Sequence, residues 1–257
     1  MNQSEREMGL RRVYEFMKGV YPANWQVRWG ETPYMSFFSG QREIDQFVSR
    51  SGKFESVPAH IWGCIGLWMN IRRICPSLDK LMDSTEVYER LWGHDLGETY
   101  LGDISLASKI HTDVNMGKEE EREEYIRLLA SLPEGQRERM IAWFDEFEHV
   151  GEDNVRRPLE VLVARWIDHL QGDHFALVFG NDLEEYSPTI EKIVKKRSVL
   201  FSRILIDSLK ARAEEEPDKK EIFLEAAGEV EDVVRVHVEM IREAGIELDL
   251  ADLGFSV

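Results

Sequence analysis

Residues 55–68 read ESVPAHIWGCIGLW, and the opening of this stretch marks the start of a helix. Ser56 is suited to cap a first turn. Pro58 fits just inside it, because the N–H that proline lacks has no partner there. From that start Val57, Cys64, Leu67 and Ile71 recur on one face. His60 falls on the same face, so the spacing turns an imidazole inward among apolar side chains. Cys64 and Cys75, the only cysteines, lack the paired spacing of a zinc knuckle and read as core packing.

The same reading extends along the chain. Val87 and Leu91 lead at helical spacing into His94, Asp95 and Glu98, which predicts a helix from about Thr85 that carries all three polar groups on one side. Helical patterns follow at 117–132 and 134–149. A more apolar one runs from Pro158 to Phe179, in which Asp168 shares a face with Val161, Ala164 and Phe175. A carboxylate among apolar neighbours is costly to ionise without a cation beside it. Two long amphipathic patterns, 188–213 and 217–244, predict a C-terminal helical hairpin.

Before residue 55 the sequence predicts a short helix over 4–20. A long loop rich in aromatics, Gly and Pro then runs over 21–54, with one or two helical turns near 43–48. The expected division is thus an N-terminal helix and loop (1–54), a helical core (55–180) and a helical extension packed on it (181–257). With 43% hydrophobic and 32% charged residues but only 18 Gly and 8 Pro among 257, the fold class is all-α.

A formal net charge of −17 leaves no broad basic surface, which argues against nucleic acid as a partner. The N-terminus lacks the apolar run of a signal peptide, and no stretch of about 18 apolar residues occurs. The expectation is a cytoplasmic protein with no membrane contact. The two amphipathic C-terminal helices also suit pairing between chains, so a homodimer is an open possibility.

Three segments carry the chemistry: ESVPAHIWGCIGLW (55–68), HDLGETYLGDIS (94–105) and VARWIDHL (163–170). In this wording the chain resembles the HD-domain superfamily of metal-dependent phosphohydrolases. Within it, the chain is most similar to the small bacterial 5'-deoxynucleotidase-like group, over about residues 50–180. The resemblance implies an HD-domain helical bundle and one divalent metal ion (Mn, Co, Fe, Ni, Zn or Mg). His60, His94, Asp95 and Asp168 are then its ligands. Two imidazoles and two carboxylates leave positions open on a six-coordinate ion, as a catalytic site requires.

By the same resemblance Glu98 and Asp103 orient the attacking water or protonate the leaving oxygen, in either assignment. Lys109 contacts phosphate as a point charge, and the Arg28–Trp29 pair recognises a flat nucleotide base. Here 32 positions separate Arg28 from His60, more than in the short bacterial relatives. Arg50 lies closer and stands beside Arg28 as the guanidinium that reaches the site. The expected activity is removal of phosphate from a small nucleotide, foremost a (deoxy)nucleoside 5'-monophosphate. The alternatives are an HD-type triphosphate hydrolase or phosphodiesterase, and a non-catalytic metal- or nucleotide-sensing module.

Overall fold

The computed structural model describes residues 55–101, 118–148, 157–179 and 183–248. Among the described residues there is no β-strand, and the all-α class is observed directly. Helix α1 spans Val57–Ile74. It begins as its sequence predicts, with the Ser56 hydroxyl accepting from the Ala59 N–H at 3.3 Å. After the short α2 (Pro76–Asp79) comes α3 (Ser84–Gly93), capped by Asp83, then α4 (Glu98–Leu101). Helices α5 (Lys118–Leu128) and α6 (Glu134–Glu148) follow. Next are α7 (Leu159–Phe179), α8 (Ser187–Lys196), α9 (Ser198–Glu215) and α10 (Lys220–Glu243).

Helix α7 is the axis of the bundle. Val161, Leu162, Val163, Ala164, Trp166 and Ile167 are all fully or almost fully buried. A helix apolar around nearly its whole girth has to be enclosed by others. Trp68 and Cys64 of α1, Val87 and Leu91 of α3, and Val199, Leu205 and Leu209 of α9 join it in one core. Such side chains contribute roughly 1.5–3 kcal/mol each when fully removed from water. A smaller apolar cluster under α5 and α6 unites Val57, Ile61, Leu96, Tyr125, Leu129 and Phe144.

Polar ties register the C-terminal helices on this core. The Trp166 indole N–H donates to Ser202 Oγ at 2.8 Å, and that hydroxyl donates to the Ser198 carbonyl at 2.6 Å. The Glu229 carboxylate on α10 accepts from the Ser77 and Leu78 N–H groups at 3.1 and 2.9 Å. It thereby serves α2, which has no side-chain cap of its own.

Two sequence expectations are revised here. The pattern at 188–213 is not one helix: it breaks at Arg197 (φ −118°, ψ −101°), between α8 and α9. The helix entering His94 does not continue to Glu98. It ends at Gly93, residues 94–97 form a turn, and Glu98 opens α4. Gly97, the last residue of the turn, packs closely on α5: a Cβ there would stand 2.7 Å from the Glu121 carbonyl oxygen. The expected helices over 4–20 and near 43–48 lie outside the described residues.

Candidate metal centre

Three helices deliver the polar groups to one buried point. His60 is one turn into α1, His94 is the residue that closes α3, and Asp168 is near the middle of α7. Their exposures are 0%, 3% and 4%, so no bulk water shields the groups from one another. His60 Nε2 lies 3.2 Å from His94 Nε2 and 3.1 Å from Asp168 Oδ1, and His94 Nε2 lies 3.6 Å from that same oxygen. Asp95 joins from the turn after α3, with its carboxylate oxygens 3.3 Å from His94 Nε2 and 3.5 Å from His60 Nε2.

These separations suit a cation. Donor atoms bonded to one ion at about 2.0–2.2 Å lie about 3 Å from each other. His94 donates its Nδ1–H to the Leu91 carbonyl at 2.7 Å, which leaves Nε2 as the ring atom turned toward the cluster. The carboxylates of Asp95 and Asp168 face the His94 ring. Burial works against its protonation, yet the carboxylates of Asp95 and Asp168 outweigh burial and raise the imidazole to about 10. Burial likewise disfavours charge on Asp168, but the surrounding imidazoles of His169, His60 and His94 hold its carboxyl well below the usual range.

Four side chains, His60, Cys64, His94 and Asp168, each offer a ligand atom within 4.8 Å of all the others, and all four are buried. Cys64 was legible only as core, and it is core, fully buried among apolar neighbours. Its Sγ also stands 3.5 Å from His60 Nε2. The signal that exposes this second role is its spacing of four residues from His60, one turn along the same face.

Around this centre lies a ring of supporting groups. His60 Nδ1 is 2.5 Å from Gln171 Oε1, and Gln171 Nε2 donates to Glu55 Oε1 at 2.7 Å. On the other side, Arg165 Nη1 and His169 Nδ1 approach Asp168 Oδ2 to 3.7 and 3.5 Å. Glu98, 8% exposed, is tied to the turn after α3 through its N–H, which donates to the Asp95 carbonyl at 3.0 Å. Asp103, Lys109, Arg28, Trp29 and Arg50 lie outside the described residues. Two surface grooves, one of about 670 Å³ beside Trp92 and Trp143 and one of about 400 Å³ beside Ile74 and Val236, are lined by none of the four clustered side chains.

The family model of the HD domain matches residues 45–203, and the chain belongs to the HD-domain family. HD domains bind divalent metals and are generally metal-dependent hydrolytic enzymes. The match spans α1 to the first turns of α9 and so includes every residue of the cluster. Comparison with curated proteins returned no match. Among the described residues no helix is long and apolar enough to cross a membrane.

Proposed function

We propose that the protein is a metal-dependent phosphohydrolase that removes phosphate from a small nucleotide, with a (deoxy)nucleoside 5'-monophosphate as the leading substrate. One observation carries the reading. Two imidazole Nε2 atoms and a carboxylate oxygen, all on buried residues, converge within 3.1–3.6 Å of one another, the spacing that donor atoms on one cation adopt.

In this proposal His60, His94, Asp95 and Asp168 hold the ion, and Cys64 borders it. When bound, a divalent ion supplies Lewis acidity toward a phosphate oxygen and lowers the pKa of water. The other steps belong to the chain's own side chains. Glu98, next to the ligand turn, accepts or returns a proton at its carboxylate and shares that work with Asp103. Lys109 receives the phosphate as a point charge. Trp29 and one of Arg28 and Arg50 stack against and orient the base. Soluble behaviour in the cytoplasm and self-association through the C-terminal helices complete the proposal.

The test is phosphate release from nucleoside mono-, di- and triphosphates by the full chain, stripped of metal and then supplied with Mn, Co or Mg. The expected result is metal-dependent orthophosphate from monophosphates. Release of pyrophosphate or triphosphate instead would transfer the site to a triphosphate hydrolase. Silence across the panel with metal bound would leave a sensing module.

A further inference from the structure

The two histidines of the cluster are oriented by different means. His94 gives its Nδ1–H to Leu91, a backbone carbonyl of the helix it terminates, and no rotation of a side chain can change that partner into a donor. His60 faces a side-chain amide, Gln171, at 2.5 Å. An amide offers an acceptor and a donor that exchange places on a flip, so the amide alone does not determine which nitrogen of His60 carries the proton.

Glu55 settles the question. Its side chain is 1% exposed and lies directly before the cap of α1. A carboxylate only accepts, so the group facing it at 2.7 Å must be the Gln171 NH2. Gln171 Oε1 is then turned to His60 Nδ1 and must accept from it. The proton sits on Nδ1, and Nε2 presents a lone pair toward His94, Asp168 and Cys64. Gly63 makes room for the relay. A Cβ at that position would come within 2.6 Å of Gln171 Nε2 and 3.1 Å of its Cγ, so any side chain there displaces the amide from between α1 and α7.

We propose that Glu55 and Gln171 are positioning residues that hold His60 in the one tautomer able to ligate a divalent cation through Nε2, with Gly63 admitting the amide. The inference rests on the metal-binding reading of the cluster. It adds a directional element, since Glu55 acts on the ion through two other side chains and touches neither the ion nor the substrate. Hydrogen-bond partners of this kind typically change metal affinity 10- to 100-fold, on the order of the effect expected here.

The experiment is chelator competition with Co²⁺ and Zn²⁺ on the full chain, together with ¹⁵N NMR of the histidine rings in metal-stripped protein. Glu55→Met is similar in length and has no oxygen. It removes the acceptor that fixes the Gln171 NH2, releases Gln171 to flip, and frees the His60 proton to move from Nδ1 to Nε2. Gln171→Leu removes the acceptor, and Gly63→Ala displaces it without deleting a polar atom. All three are expected to weaken metal binding by about tenfold or more and to alter the His60 ring signals while leaving the His94 Nδ1–H in place. Wild type that binds neither ion contradicts the metal reading itself. Wild type that binds, with Glu55→Met and Gln171→Leu within about twofold of it and His60 still protonated on Nδ1, overturns the relay alone.

Discussion

Helix α7 supplies adjacent residues, Asp168 and His169, to two buried polar clusters with similar ingredients and opposite electrostatics. Asp168 meets the Nε2 atoms of His60 and His94 through Oδ1, while Arg165 stands off at 3.7 Å on its other oxygen. His169 meets Arg197, whose Nε donates to His169 Nδ1 at 3.1 Å. Asp173, one turn further on, shares that guanidinium's field and is hydrogen-bonded to Ser198. Ser198 Oγ in turn shares a hydrogen bond of 3.2 Å with His237 on α10.

The second cluster brings its own cation. Burial, with Arg197 and Arg165 nearby and against the pull of Asp168, holds His169 neutral, well below the ordinary imidazole value. Burial pushes the Asp173 carboxyl up in spite of Arg197. In the second cluster the guanidinium is hydrogen-bonded directly to a member, whereas in the first Arg165 stands off on one oxygen of Asp168 and leaves Oδ1 and two Nε2 atoms facing one another. The difference separates a joint from a site, although residue types alone would not distinguish them.

The contrast breaks most completely at Asp168. Asp168→Ala should abolish metal-dependent phosphate release while the helical circular dichroism signal survives, and turnover retained in that variant would place the chemistry elsewhere. At the joint the largest effect is on stability against pH. Burial, and more weakly His174, depress His237 to about 4, below its ordinary 6.5. A histidine that is neutral when folded stabilises in full above about pH 6.5. That contribution is lost as pH falls toward 4, because the unfolded chain takes the proton first. By linkage the loss is about 3 kcal/mol. Urea unfolding of wild type and His237→Gln at several pH values should show their difference shrinking across this window, and a constant difference would contradict the assignment.

Glu98 sharpens the contrast from the other direction, as a buried carboxylate placed beside the proposed ion ligands but not among them. Glu98→Ala should retain the metal and reduce turnover by about 100-fold, read by steady-state phosphate release next to metal content. Full turnover would remove Glu98 from the catalytic scheme. Arg197→Met should cost about 2 kcal/mol of stability through its lost charged hydrogen bonds, measured by urea unfolding, with metal affinity changed only a few-fold. A loss of metal binding as large as that of a ligand variant would merge the two clusters into one.

Much of this was legible in the residues, for physical reasons that differ from place to place. Ser56 and Pro58 announce the start of α1, because capping chemistry is local. His60 on an apolar face and Asp168 in an apolar helix are conspicuous, since burying either demands a partner. The wording around His94 then indicated that they meet. Where the expectations failed, the cause lay in contacts between distant segments. Gly97 sits in the turn after α3 with α5 packed close against it, and nothing near 97 announces α5. Arg197 breaks a continuous amphipathic pattern without Gly or Pro, at the position where its side chain reaches His169. Gln171 is an ordinary amide in sequence, and its role depends on Glu55, 116 residues away.

The measurement that bears most directly on the account is metal titration of the stripped full-length chain with Co²⁺ or Zn²⁺, alongside His60→Ala and His94→Ala. The account predicts one ion bound per chain in the wild type and none at the same concentrations in either variant. A wild type that takes up no ion, or variants that bind as well as it does, would contradict the metal centre at His60, His94 and Asp168.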